Sequence, residues 1–204
     1  LEHASTVSYI ATLMGLKLIP YIEHQRSRLS PQKARDITPL GVAGMLHDIG
    51  MVLLPVEDRE RFRAHPDSKN ATYRSHVELG FRMVRGRVPP VVASAVLHHH
   101  QRYDGSGFPK RRTADGREVA VAGDKIHIYA RVIAVADAFD RWSADDDGVD
   151  VPRVRTLRKI LNEPMADRFD PMVVKALLAV CPPYPPGTRV KLSNGIEGVV
   201  IGWE

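Results

Sequence analysis

The feature that most constrains the fold of this chain is an adjacent histidine and aspartate, His47-Asp48, at the end of an apolar helical run. Gly50 follows shortly after, where a glycine commonly terminates a helix. Side chains of consecutive residues point about 100° apart around an α-helix, so an imidazole and a carboxylate can reach one ion cluster only where the helix ends. The pair therefore predicts a helix end that faces a metal site.

Apolar residues recur at helical spacing over most of the chain, which predicts an all-α fold. The helix predicted over residues 126–139 is apolar on several sides and therefore buried, although it carries Asp137. A buried carboxylate needs a cation or a full set of hydrogen bonds. The other predicted helices span residues 3–29 with a kink at Pro20, 30–46 with a candidate break at Pro39, 72–84, 89–97, 154–161 and 171–180, with a short helix inside the polar connection 51–70.

The last part of the chain has a different pattern. Prolines cluster over residues 182–186, and alternating segments at 188–192 and 196–201 flank Asn194-Gly195, a strong signal for a β-hairpin. The sequence thus predicts a helical domain over residues 1–182 and a Pro-rich link with a β-hairpin extension over residues 183–204. Two strands alone are marginally stable, so the hairpin should pack on the helices or on another part of the protein.

Composition narrows the classes of partner. The net charge of +5 favours anionic ligands over cationic ones. Arg82, Arg85 and Arg87 cluster without interleaved aromatic residues, so a nucleic-acid polymer is not expected as a stable partner.

No apolar run approaches the roughly 20 residues that cross a bilayer. The chain begins at Leu1 without a methionine or a leader, which predicts a domain of a longer protein, and the single Cys181 fits a reducing compartment.

Imidazoles and carboxylates recur at helix ends and on inner helix faces, with no cysteine among them. This donor set suits iron, manganese or zinc at a hydrolytic centre. One histidine on an apolar helix is usually a core residue, but the joint occurrence of these residues is difficult to attribute to packing. The candidate ligands are His3, His47, Asp48, His76, His99, His100 and Asp137.

The order of these residues resembles the HD-GYP branch of the HD-domain phosphohydrolases over most of residues 1–180. The resemblance implies an all-α HD-domain helical bundle, two transition-metal ions that are most often iron or manganese, and hydrolysis of the bacterial second messenger cyclic di-GMP. The chain after Tyr184 is similar to the strand-rich extension of many members. The matching motifs are His47-Asp48-Ile49-Gly50, His76-Val77-Glu78-Leu79-Gly80, His99-His100, Asp104-Gly105-Ser106-Gly107-Phe108-Pro109 and Val135-Ala136-Asp137.

The resemblance also implies roles for individual residues. Asp48 would bridge the two metals, and Asp140, one helical turn after Asp137, would orient a ligand histidine or a base, so Asp48 and Asp140 are the predicted catalytic residues. The first ion would be held by His76, His99 and His100, and the second by His3, His47 and Asp137.

Two other histidines compete with this assignment. His24 could replace His3, because the first histidine of the family usually lies closer to the His-Asp pair, but His24 falls in a polar tip that should be exposed. His65-Pro66 resembles the family's His-Pro motif, yet only His76 has the apolar helix around it. His3 and His76 are therefore the predicted ligands.

The triple histidine requires a choice of register. Counting back from Asp104-Gly105 selects His99 and His100 as ligands and leaves His98 to pack beside the site. The same register places Gln101 where the family usually has a glutamate.

The substrate-binding positions depart from the family pattern. Met51 replaces a lysine that would meet a phosphate, Phe108 lacks the hydroxyl of the family's tyrosine, and the acidic run 145–147 replaces a basic stretch. One lost charge-assisted phosphate contact costs roughly 1.5–3 kcal/mol. The predicted substrate-binding residues are Arg102, Gly105, Gly107, Phe108, Pro109 and Lys110, with Arg111 and Arg131 as further candidates to replace the lost phosphate contacts.

Three functions follow as hypotheses. The first is a cytoplasmic bacterial phosphodiesterase that hydrolyses cyclic di-GMP to the linear dinucleotide or GMP. The second is a weakly active or inactive metal-binding module that senses nucleotide or docks a signalling partner, such as a diguanylate cyclase, through the loop 105–109. The third is an HD phosphohydrolase with another phosphoester substrate, and a structural helical domain with incidental histidines is the remaining alternative. A homodimer would suit a signalling domain, although no heptad pattern supports it.

Overall fold

The computed structural model describes residues 2–64, 69–144 and 149–202. Short 3₁₀ turns lie at Ile49–Leu53, Gly123–Lys125 and Ala166–Arg168. Antiparallel strands pair β1 (Arg111–Arg112) with β2 (Glu118–Val119) and β3 (Arg189–Lys191) with β4 (Glu197–Val199). The helices are Glu2–Lys17 (α1), Ile19–Gln25 (α2), Pro31–Arg35 (α3), Thr38–Leu46 (α4), Val56–Ala64 (α5), Ala71–Val84 (α6), Pro90–His98 (α7), Ile128–Arg141 (α8), Arg153–Leu161 (α9) and Pro171–Val180 (α10).

The predicted all-α fold is confirmed, and prolines explain where helices are interrupted. The segment predicted as one helix over residues 3–29 is divided into α1 and α2, with Pro20 in the first turn of α2. The helix predicted over residues 30–46 is wrong as a single element, because Asp36 adopts an extended conformation between α3 and α4. Pro39 lies in the first turn of α4, where a missing backbone N–H removes no helical hydrogen bond.

Helix α8 forms the centre of the main core, and α1, α4, α7 and α10 pack against it. Most of its apolar side chains are buried, including Ile128, Val132, Ile133 and Val135. The one carboxylate in the middle of this helix, Asp137, is also buried, as the apolar pattern around it predicts. Across the residues that the structure describes, no helix has both the length and the apolar character needed to span a membrane.

Two glycines allow backbones to approach closely beside the His-Asp pair. A Cβ atom on Gly44 would lie 2.7 Å from Ser8 Cα, so this residue lets α4 pack on α1. A Cβ atom on Gly50 would lie 1.9 Å from the carbonyl oxygen of His76, so this residue lets the 3₁₀ turn pack on α6. The prediction that Gly50 terminates a helix is wrong, because α4 ends at Leu46 and Gly50 lies inside the following 3₁₀ turn.

The predicted hairpin forms around Asn194-Gly195, and Gly195 has the positive φ of 86° that the turn requires. Its apolar side chains Leu192, Ile196 and Val199 are exposed. Residues 110–125, whose polar sequence has no strand pattern, contain the β1–β2 pair and a 3₁₀ turn. Each of these strands has only two residues, which is too short for a periodic pattern to develop.

Candidate metal centre

The predicted ligand side chains meet at one place, where α1, α6 and α8 approach the carboxyl ends of α4 and α7. They form two neighbouring groups, and within each group the ligand atoms lie within 4.8 Å of one another. The site A group contains Asp48, His76, His99 and His100, and the site B group contains His3, His47 and Asp137.

Three imidazoles are oriented by the helices that carry them. Nδ1 of His47 donates to the Gly44 carbonyl over 2.7 Å, and Nδ1 of His99 donates to the Val96 carbonyl over 2.8 Å. His76 makes the same bond to the carbonyl of Tyr73. Because a carbonyl only accepts, the hydrogen must be on Nδ1, and the lone pair of Nε2 is available to a metal.

His3 is held by a side chain of α8 instead. Its Nδ1 atom lies 2.6 Å from Oδ2 of Asp140, so the carboxylate accepts the imidazole hydrogen and directs Nε2 towards site B. Burial lowers the pKa of His3, but the neighbouring carboxylates of Asp137 and Asp140 outweigh burial and raise that pKa to about 9, so a metal ion at site B would displace a proton from this imidazole. Asp140 thus has the geometry of a residue that orients a ligand histidine.

Asp48 lies between the two groups. Its Oδ1 atom is 3.3 Å from Nε2 of His76 and 3.5 Å from Nε2 of His99, whereas its Oδ2 atom is 3.5 Å from Nε2 of His47. Burial alone would raise the pKa of Asp48, but the charges of His47 and Arg141 hold it well below its usual range. One oxygen therefore faces each site, which is the arrangement of a bridging carboxylate.

Several of these buried ligand atoms lack a hydrogen-bond partner among the described residues. They are Nε2 of His3, Nε2 of His47 and Oδ1 of Asp48. Leaving such an atom unsatisfied costs about 1–3 kcal/mol, and a bound cation would remove that cost. Burial also lowers the pKa of His99 to about 4, so its imidazole is neutral and can act as a ligand at neutral pH. The donor set therefore fits a transition-metal ion.

Two residues at the centre were not predicted from the sequence. Arg141 pairs with both carboxylates: its Nε atom lies 2.6 Å from Oδ1 of Asp137, and its Nη2 atom lies 2.5 Å from Oδ2 of Asp48. The buried Tyr73 places its hydroxyl 3.2 Å from Nε2 of His100. The four-residue spacing from Asp137 to Arg141 on one helix would have indicated the contact between these two residues.

A cleft of about 170 Å³ opens beside the metal ligands. Its wall combines aromatic rings, among them Phe108, Trp142 and Phe169, with the guanidinium groups of Arg102 and Arg168. His99, His100 and Asp137 also line this cleft, so a molecule bound there would touch the metal centre.

The predicted substrate-binding residues divide between two places. Arg102 and Phe108 line the cleft, and the ring of Phe108 stacks on His100 with centroids 4.8 Å apart. Pro109 and Lys110 line a neighbouring groove instead, where Nζ of Lys110 donates to the carbonyl of Gly105 over 2.8 Å.

The loop glycines shape the backbone. Gly105 has a φ of 81°, and a Cβ atom on Gly107 would lie 2.4 Å from the backbone nitrogen of Arg102.

Arg111 lies with Lys110 in the neighbouring groove. Arg131 cannot replace a lost phosphate contact, because it is buried and pairs with Asp170 at 2.5 Å.

Neither His24 nor His98 belongs to either group of candidate ligands. His24 is exposed on α2, and Nδ1 of His98 donates to the carbonyl of Ser94 over 2.9 Å. His65 and the acidic run 145–147 lie outside the described residues.

Met51 and Gln101, two positions that depart from the family pattern, both pack against other residues of the domain. Met51 packs in a small apolar cluster with Tyr73 and Phe108, and Gln101 is buried and donates to the carbonyl of Pro109.

A helical bundle that brings histidines and aspartates together in this way has the architecture of a metal-binding HD domain. The family model described as HD domain matches residues 17–173. The chain therefore belongs to the HD-domain family and, by its motifs and relatives, to the HD-GYP type.

Three curated relatives are similar over most of the chain. A cyclic di-GMP phosphodiesterase of Pseudomonas aeruginosa is 32% identical over 79% of this chain and 37% of the relative. A cyclic di-GMP phosphodiesterase response regulator of Xanthomonas campestris is 30% identical over 74% of this chain and 37% of the relative. A 3'3'-cGAMP-specific phosphodiesterase of Vibrio cholerae is 30% identical over 67% of this chain and 25% of the relative. The chain thus spans little more than a third of these relatives at most.

A solved structure shows the same fold. It is an HDG"Y"P protein from Bdellovibrio bacteriovorus, with a TM-score of 0.55 and 17% identity over 87% of this chain and 51% of that one.

Proposed function

We propose that this chain is a metal-dependent phosphodiesterase domain that hydrolyses cyclic di-GMP or a closely related cyclic dinucleotide. The observation that carries the proposal is the cleft, which joins a His/Asp metal centre to aromatic rings and arginines. Hydrolysis of a phosphodiester needs positive charge beside the phosphoryl oxygens, and binding of a nucleobase needs a flat apolar surface. The names of the relatives support the same substrate class.

Site A would hold one ion through Asp48, His76, His99 and His100, and site B would hold a second through His3, His47 and Asp137, with Asp48 shared. Iron or manganese suits this donor set, with zinc as an alternative. Bound metal supplies positive charge to the phosphoryl oxygens and lowers the pKa of the attacking water.

The residues of the chain would position the substrate. Arg102 and Arg168 provide phosphate contacts in place of the lysine that Met51 replaces. Trp142, which is partly exposed, provides a face on which a guanine base stacks. Asp140 keeps the His3 imidazole in the orientation that site B requires.

Incubation with a panel of dinucleotides tests the proposal. Protein loaded with Mn²⁺ or Fe²⁺ should convert cyclic di-GMP, or 3'3'-cGAMP, to linear dinucleotide or mononucleotides, as seen by chromatography. His47→Ala should abolish the product, whereas His98→Ala, which alters a histidine outside both sites, should retain it. Folded, metal-loaded protein that cleaves neither dinucleotide would contradict the proposal.

The second candidate is a metal-binding regulatory module that binds nucleotide without cutting it. The apolar surroundings of Met51 favour it, because they offer no charge to a phosphate. Calorimetry separates the two functions: this candidate predicts cyclic di-GMP binding to the metal-loaded protein with no product after prolonged incubation.

A further inference from the structure

The two sites differ in how their carboxylate oxygens are paired. The oxygens that face site B are Oδ1 of Asp137, 3.0 Å from Nε2 of His3, and Oδ2 of Asp48, 3.5 Å from Nε2 of His47. The guanidinium group of Arg141 bonds to both of these oxygens, at 2.6 and 2.5 Å. Site A presents the other oxygen of Asp48, which has no hydrogen-bond partner in the described part of the chain.

A second metal ion would compete with this arginine. A guanidinium group bound to two carboxylates makes charge-assisted hydrogen bonds, which are among the strongest in proteins. It is also always charged, so a divalent ion entering site B would meet a cation already bound to its ligands. An ion entering site A would not compete for Oδ1 of Asp48. The two sites should therefore differ in metal affinity.

We propose that, in the metal-free chain, the guanidinium group of Arg141 takes the place of the second metal ion at site B. The chain binds one divalent metal tightly at site A and accepts a second at site B only when Arg141 releases Asp48 and Asp137. The released guanidinium can turn into the cleft, because Arg141 also lines it. There it would contact a substrate phosphate. This inference rests on the proposed metal centre and is independent of which dinucleotide is cut.

Stepwise binding of Mn²⁺ tests the inference on the unmodified chain. Metal-free protein is titrated with Mn²⁺ by equilibrium dialysis, and the bound ion is observed by electron paramagnetic resonance. The first equivalent of Mn²⁺ should give a mononuclear spectrum. The second equivalent should bind with an affinity lower by a factor of about ten or more. Two ions that bind together with equal affinity and give a coupled dinuclear spectrum from the start would overturn the inference.

Variants identify Arg141 as the cause. Arg141→Gln should tighten the second Mn²⁺ by about tenfold or more and give the coupled spectrum near two equivalents. Arg168→Gln is the matched control, since Arg168 lines the same cleft without pairing with either carboxylate, and it should leave both affinities unchanged. Arg141→Lys keeps a charge but cannot bridge both carboxylates, so it should give an intermediate affinity and serves if the glutamine variant does not fold.

The outcomes separate the two proposals. If the second ion binds with the same affinity in wild type and in the folded Arg141 variants, the role of Arg141 is wrong and the metal centre stands. If folded wild-type protein, checked by circular dichroism, binds no Mn²⁺, Fe²⁺ or Zn²⁺, the metal centre itself is wrong, and the role of Arg141 falls with it.

Discussion

At the scale of single residues, the centre is built by hydrogen bonds that leave one atom of each ligand free. His47, His76 and His99 each use the carbonyl three residues earlier in the chain, so the helix itself fixes the imidazole. His3 lies near the start of α1 and uses the carboxylate of Asp140 instead. Its orientation therefore depends on a side chain that can be removed by mutation.

Asp140→Asn should weaken the ion at site B about 10–100-fold, because the amide no longer accepts a charge-assisted hydrogen bond from His3. The affinity of site A should not change, since Asp140 contacts none of its ligands. Dialysis against Mn²⁺ measures both steps, and Asp167→Asn, an exposed carboxylate on another element, is the control. An unchanged second affinity would show that His3 needs no partner.

At the scale of elements, the His-Asp pair is placed by the 3₁₀ turn Ile49–Leu53, which packs on α6. That contact brings Asp48 to His76, and Gly50 makes it possible. A side chain at Gly50 would meet backbone atoms of His76 and Gly80, which cannot move without moving the helix.

Gly50→Ala should therefore lower the free energy of unfolding by about 3 kcal/mol and weaken metal binding at site A. Urea denaturation measures the first effect, and Mn²⁺ dialysis measures the second. Gly198→Ala is the control, because its added methyl group would meet no atom within 4 Å, and it should change stability by less than about 0.5 kcal/mol. Equal stability of the two variants would contradict the packing described for Gly50.

The sequence predicted this centre better than its surroundings. The candidate ligands from His47 to Asp137 were predicted because each lies in a motif with a fixed local spacing, whereas His3 was predicted without such a motif. The contact of Arg141 with Asp48 was missed because it joins residues 93 apart in the chain, and only the contact with Asp137 has a local spacing that indicates it. The β1–β2 pair was missed because two-residue strands carry no periodicity. The break was expected at Pro39 and lies at Asp36, because in the sequence a proline in the first turn of a helix resembles one inside it.

At the scale of the whole molecule, a second ion network joins three elements through residues outside the candidate metal centre. Arg131 of α8 bonds to Asp170 before α10 at 2.5 Å and to the hydroxyl of Tyr21 in α2 at 3.0 Å. Both Arg131 and Asp170 are almost completely buried. This network joins α2, α8 and the start of α10 and includes none of the candidate metal ligands, so its role is structural.

Asp170→Ala should lower the free energy of unfolding by about 3 kcal/mol, because it leaves the buried Arg131 charge with only the exposed Asp124 as a carboxylate partner. Glu23→Ala removes the exposed partner of Arg35 and should change stability by about 1 kcal/mol or less. Urea denaturation compares the two variants. Similar losses in both would show that burial does not set the cost of the Arg131–Asp170 pair.

The most direct test of the central claim is the rate of cyclic di-GMP hydrolysis as Mn²⁺ is returned to metal-free protein. We predict no product without metal, a rate that rises with Mn²⁺, and no product at any Mn²⁺ concentration for Asp48→Asn, which loses the charge shared by the two sites. Hydrolysis by metal-free wild type, or by Asp48→Asn at the wild-type rate, would contradict the claim that this His/Asp centre cuts the phosphodiester bond.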